Sequence, residues 1–155
     1  VAEASVFERG WPSAPDQWRR PEVEAPMARI LELRALVNRQ LESCRAAGQI
    51  GASLEAQVQL ELSGEAGALA EALQWLESSP QRAVDNLADW LLVSALQIGG
   101  AAPAAVLQEA EEDGVLVRVA RAEGEKCERC WHYETDIGQH SAHPTLCGRC
   151  VAVLT

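Results

Sequence analysis

Apolar residues recur along this chain at two spacings, and the switches between them divide it into elements. From Pro26 to Ala47, Met27, Ile30, Leu31, Val37, Leu41 and Cys44 follow three- and four-residue steps, with Arg34 on the same stripe. That period predicts one helix, stopped at Gly48. "SLEAQVQLEL" (53–62) alternates Leu54, Ala56, Val58, Leu60 and Leu62 with Ser, Glu and Gln, the period of a half-buried strand. "EAGALAEALQWLESS" (65–79) returns to helical spacing through Leu69, Ala72, Leu73 and Leu76 and ends before Pro80. Residues 81–90 read as a short helix or turn. "LLVSALQI" (91–98) and "VLVRVARA" (115–122) read as strands, separated by the breakers Gly99, Gly100 and Pro103.

These elements predict an α+β fold, helices packed on a small sheet, with Cys44, Trp75 and Trp90 in its core. Four of the seven prolines fall before residue 27, in "WPSAPDQWRRPEVEAP", so residues 1–25 are expected to form an extended Pro-rich linker. Its Trp11 and Trp18 are expected to pack on a neighbouring surface. The α+β unit then spans 26–123 and a distinct module spans 124–155.

Composition narrows the function. A hydrophobic share of 48% and a charged share of 23% are those of an ordinary globular chain. No apolar run approaches the roughly 20 residues a bilayer requires, and no signal-peptide pattern opens the sequence, so the cytoplasm is the expected compartment. Val1 rather than Met at the start is expected of a piece of a longer polypeptide. The formal charge of −10 opposes bulk nucleic-acid binding, which needs many cations to displace counterions, but allows a small local RNA contact. Arg29, Arg34, Arg39 and Arg45 do not share one helix face; a solvated surface is the plain reading and a phosphate-tracking row the alternative. Residues 1–123 contain no phosphate-cradling loop, nucleophile elbow or paired-histidine motif.

Four of the five cysteines lie in "CERCWHYETDIGQHSAHPTLCGRC", residues 127–150. Cys127 and Cys130 form one Cys-x-x-Cys knuckle, and Cys147 and Cys150 a second, after sixteen residues. Two such knuckles facing each other offer four thiolates at about 2.3 Å to one tetrahedral Zn²⁺ with no open position, which makes the metal structural. A redox dithiol needs one pair beside a βαβ unit, which the element pattern does not contain. His132, His140 or His143 replacing a cysteine is the alternative ligand set. The module's large apolar residues are few, so metal binding of order 10–16 kcal/mol is expected to supply its folding energy. Trp131 is either a plug over this small core or a platform for a nucleobase.

"GEKCERCWHYETDIGQHSAHPTLCGRCVAVL" closely resembles the C-terminal zinc module of the bacterial isoleucyl-tRNA synthetase family. The shared features are Gly124, Lys126, the run Cys127 to Tyr133, Asp136, Gly138, His143-Pro144 and Leu146 through Cys150. "VNRQLESCRAAGQIGASLEAQVQL" (37–60) and "SVFERGWP" (5–12) are similar to upstream parts of the same region, whereas 65–115 matches loosely. Val153 stands where the family usually has Asn. The resemblance implies a fragment without catalysis, since the signatures His-Ile-Gly-His and Lys-Met-Ser-Lys-Ser are both missing. It implies one structural zinc, tRNA held at the anticodon end, and the rest of the synthetase chain as the second partner. By the resemblance Arg129 and Trp131 contact an anticodon base; beside that, Lys126 and Arg149 are lesser candidates for phosphate contact and His132 a lesser RNA contact still. No DNA or membrane partner is expected. Two competitors remain: a protein-interaction zinc ribbon, which the acidity favours, and the zinc finger of formamidopyrimidine-type DNA glycosylases. The latter enzymes begin Pro-Glu, unlike Val1-Ala2-Glu3.

Overall fold

The protein is described here by a computed structural model covering residues 5–78 and 87–154. Helix α1 runs Pro21–Ala46, starting five residues ahead of the expected Pro26. Pro21 occupies the first turn, where its missing N–H costs nothing, and Glu22 and Glu24 favour the positive end of the helix. Pro26 is tolerated inside because only one early hydrogen bond is lost. Gly48 adopts φ 67° and Gln49 N–H reaches back to the Cys44 carbonyl at 2.9 Å, the expected stop.

The buried face of α1 is Ile30, Leu33, Leu36, Val37, Leu41 and Cys44. Leu31, expected on that stripe, is 52% exposed. At 100° per residue Leu31 lies roughly 135° from the centre of the buried set, whereas Leu33 and Leu36 lie within it. Arg34 falls on the flank and is half-buried.

Strand β1 (Ala56–Leu62) is followed by α2 (Gly67–Ser78), α3 (Leu87–Leu91) and strand β2 (Ala95–Ile98). Strands β3 (Val106–Glu112) and β4 (Val115–Arg121) complete a sheet of order β2-β1-β4-β3. Strand β1 pairs parallel with β2 and antiparallel with β4, opposing Val58 to Val119 and Leu60 to Val117. The connection from β1 to β2 is a helical crossover between parallel strands, a βαβ unit that the sequence reading excludes. Pairing direction leaves no mark on periodicity, and the strand expected over 91–98 is shorter than predicted. Leu91 closes α3, Leu92 turns at φ 57°, and only Ala95–Ile98 pairs. Of the expected segment 81–90, residues 81–86 lie outside the described residues.

Helices α1 and α2 cover one face of the sheet, where Leu33, Val37 and Leu41 meet Val58, Leu60, Val117 and Leu73. Cys44 is buried there as expected, but Trp75 and Trp90 are only half-buried. On the other face Gln59 is 1% exposed, its amide donating to the Gly99 carbonyl. Arg118 donates to Gln59 and Glu61, both at 2.8 Å, and pairs with Glu109. The Arg118 hydrogen bond holds the Glu61 carboxyl below its ordinary range. Trp11 and Trp18, expected against a neighbouring surface, are 100% and 69% exposed on the segment before α1. No helix among the described residues is long and apolar enough to cross a membrane.

Candidate metal centre

The chain leaves β4 and forms a two-stranded ribbon, β5 (Glu125–Lys126) against β6 (Tyr133–Glu134). Gly124 opens it at φ 86°, and a Cβ there would collide with the Glu134 backbone. The first knuckle is the turn between these strands. Cys127 N–H donates to the His132 carbonyl at 2.8 Å, and Trp131 N–H to the Cys127 carbonyl at 3.0 Å. The second knuckle starts helix α4 (Gly148–Ala152), with Cys147 at its N-cap. Asp136 holds it from the side: one oxygen accepts the Gly148 N–H at 2.7 Å and faces His140 Nε2 at 3.2 Å. Gly148 is required because a Cβ would sit 2.7 Å from that oxygen.

The four sulfurs of Cys127, Cys130, Cys147 and Cys150 all lie within 4.8 Å of one another. The Cys130 and Cys147 sulfurs are 3.7 Å apart. A tetrahedron with metal–sulfur bonds of about 2.3 Å has edges of about 3.8 Å, so the set fits one zinc ion. Burial pushes the Cys130, Cys147 and Cys150 thiols up. Burial acts on Cys127 too, but the backbone N–H groups of Cys130, Cys147 and Arg129 outweigh it and bring that thiol down to about 6. Four sulfurs around one ion leave no site for water or substrate, so the zinc would tie the two knuckles together and polarise nothing. Of the histidines, His140 hydrogen-bonds Asp136 and His132 faces Asp89; the compact donor cluster among the described residues consists of the four cysteines alone.

The remaining sequence candidates surround this centre without converging. Trp131 is 61% exposed and holds φ 68°, an uncommon conformation for a bulky residue. Lys126 Nζ lies over its ring, 5.5 Å from the centroid. Arg129 is exposed and donates to the Cys150 carbonyl at 3.2 Å, joining the knuckles a second time. Arg149 pairs with Asp89 at 3.1 Å, and the ring of His132 faces the same carboxylate at 3.8 Å. Both side chains therefore join the module to α3. Tyr133 N–H adds a bond to Ser94 Oγ at 2.8 Å. Sequence reasoning misses Asp89 and Ser94, since nothing local distinguishes them. Asp136, noticed only as a shared residue, is the second knuckle's anchor.

Fold and site together define an α+β body carrying a four-cysteine zinc module. The family described as a zinc finger found in FPG and IleRS matches residues 124–153. The chain is 58% identical over 99% of its length to an isoleucine–tRNA ligase of Prochlorococcus marinus (strain MIT 9313), covering 16% of that protein. It is 54% identical over 97% of its length to the isoleucine–tRNA ligase of Synechococcus sp. (strain CC9311), covering 15% of it. An isoleucine–tRNA ligase of Prochlorococcus marinus (strain MIT 9515) is 34% identical over 99% of the chain. Nearly the whole chain is thus similar to the C-terminal, zinc-finger-bearing region of isoleucine–tRNA ligases, and spans about 16% of the length of the curated relatives it matches.

Proposed function

We propose that this chain is the tRNA-contacting C-terminal part of an isoleucine–tRNA ligase working in the cytoplasm. By itself it catalyses nothing; the enzyme of which it is part attaches isoleucine to its tRNA using ATP. Its zinc-tied knuckle presents Trp131 and Arg129 to an unstacked base at the anticodon end.

One observation carries this reading: a large indole left mostly in solvent, at a left-handed backbone position, directly after the candidate ligand Cys130 and hydrogen-bonded back to Cys127. A plug over the zinc core would be buried, and Trp131 is not. Strained positions of this kind persist where the surroundings over-determine them. Single-stranded RNA is read by stacking bases on aromatic rings and by Arg hydrogen bonds, with stacking contributing about 1–3 kcal/mol per base. Lys126 over one face leaves a cation beside the stacked base for the adjoining phosphate. Because the turn is set before RNA arrives, little ordering cost remains.

In the full-length enzyme, Trp131→Ala is expected to impair tRNA charging while sparing isoleucine-dependent pyrophosphate exchange. An equal loss of both activities would reject an anticodon-end role.

A further inference from the structure

A zinc ion would fix one knuckle against the other, but it does nothing to fix the pair against the sheet. The covalent link to the sheet is narrow. Ala122 N–H still bonds the Glu55 carbonyl at 2.8 Å and β5 begins at Glu125, which leaves Glu123 and Gly124 to carry the direction of the module. A second attachment comes from α3 and from the residue that enters β2. The Asp89 side chain on α3 is 18% exposed; one of its oxygens accepts from Arg149 Nη1 of the second knuckle at 3.1 Å and faces His132 Nε2 at 3.8 Å. The Ser94 hydroxyl accepts the Tyr133 N–H at 2.8 Å and donates to the Leu54 carbonyl, while Ser94 N–H bonds the Ala56 carbonyl at 3.0 Å. One hydroxyl thus ties the backbone of the ribbon to the residues that lead into β1.

His132 and Tyr133 are the two residues that follow Trp131, so both contacts act on the stretch that leaves the indole. We propose that Asp89 and Ser94 are positioning residues for RNA reading: together they latch the module to the α+β body and set the direction in which Trp131 is presented, without touching RNA themselves. The proposal rests on the RNA reading of Trp131. A recognition group has to be held within about 0.5 Å and 10–20° of its productive geometry, which takes supporting hydrogen bonds around it. Neither residue belongs to the sulfur cluster, and the bonds that shape the first knuckle, from the Cys127 and Trp131 amides, lie within the module. The latch therefore aims a turn whose own bonds lie elsewhere.

The test uses the zinc-loaded full-length ligase and an isoleucine-tRNA transcript, with kcat and KM for tRNA measured in charging. Asp89→Ala and Ser94→Ala are each expected to raise KM by roughly three- to thirtyfold with little change in kcat, the range over which residues that touch neither ligand alter coupling. Ser94→Thr keeps the hydroxyl and is expected to stay near the parent. The discriminating readout is the same two variants in a Trp131→Ala background, where a residue that acts through the indole has nothing further to lose. Neither should raise KM there. A KM unchanged by both variants, or raised equally with and without the indole, overturns the proposal. Should Asp89→Ala fail to fold, Ser94→Ala against Ser94→Thr decides alone. Loss of zinc from Ser94→Ala also overturns the proposal, since the contact would then be holding the module together and not aiming it. Trp131→Ala by itself separates the two ideas. If it raises KM while the latch variants do not, the latch falls and the RNA reading stands; if it leaves KM at the parental value, the RNA reading falls and takes the latch with it.

Discussion

Replacing Cys147 with Ser removes one of the four sulfurs and the residue that starts α4. What remains to hold the module is small: apart from the cysteines, its apolar cluster among the described residues contains only Ile137 and Leu146, both partly buried. Even complete burial of two such side chains contributes at most about 6 kcal/mol, against about 10–16 kcal/mol for a structural zinc. The metal is therefore the dominant stabilising term, and losing it should release residues 127–154 while the sheet and its helices persist. Hydrogen exchange resolved by peptide is the suitable assay, on Cys147→Ser and on the parent protein after chelation. The reporters are the Cys127 and Trp131 amides, which donate inside the first knuckle. A local loss of only 4 kcal/mol accelerates exchange roughly a thousandfold. The amides of α1, β1 and β4 should change little. Retained protection at Cys127 and Trp131 in verified metal-free protein would show that packing and not the metal holds the knuckles. Simultaneous release of α1 would show that module and body unfold as one unit.

Leu33→Ala should destabilise the protein by about 2–5 kcal/mol and Leu31→Ala by less than about 0.5 kcal/mol, measured by denaturant unfolding, because Leu33 is buried and Leu31 exposed. Gly114→Ala should cost more than about 1 kcal/mol, read from the same curves, since Gly114 holds φ 75° and a Cβ would press on Ser63 and on the Ala66 backbone. Glu61 is held below its unfolded pKa by Arg118. Its contribution is therefore present above the unfolded carboxylate range and fades as pH falls through the folded value. Unfolding free energy measured against pH should accordingly show a shallower acid limb in Glu61→Gln than in the parent.

How much of this was legible in the sequence depends on the range of the interaction involved. The four ligands are local in pattern, and their spacing alone predicts the cluster the structure shows. Helices α1 and α2 and strands β1 and β4 announce themselves by period, because each buries one face. Strand β3 escapes: its residues "VLQEAEE" carry mostly polar side chains at a sheet edge, where burial imposes little alternation. Its signal was Asp113-Gly114, whose φ values of 50° and 75° make the tight hairpin turn to β4. The ends of elements are also obscured, as at Pro26, where proline inside a helix reads as a boundary. Least legible is the seam. Asp89 and Ser94 meet residues roughly forty to sixty positions further along the chain, and only the folded arrangement of α3, β2 and the knuckles brings them together.

On the proposed reading, the zinc-tied turn is the mount on which Trp131 meets RNA. Indole N–H spectra of the ¹⁵N-tryptophan-labelled, zinc-loaded protein, titrated with isoleucine tRNA, test it most directly. The Trp131 resonance should shift at saturation and should fail to respond after chelation. A Trp131 signal unmoved by bound tRNA, or one that responds equally without zinc, would contradict it.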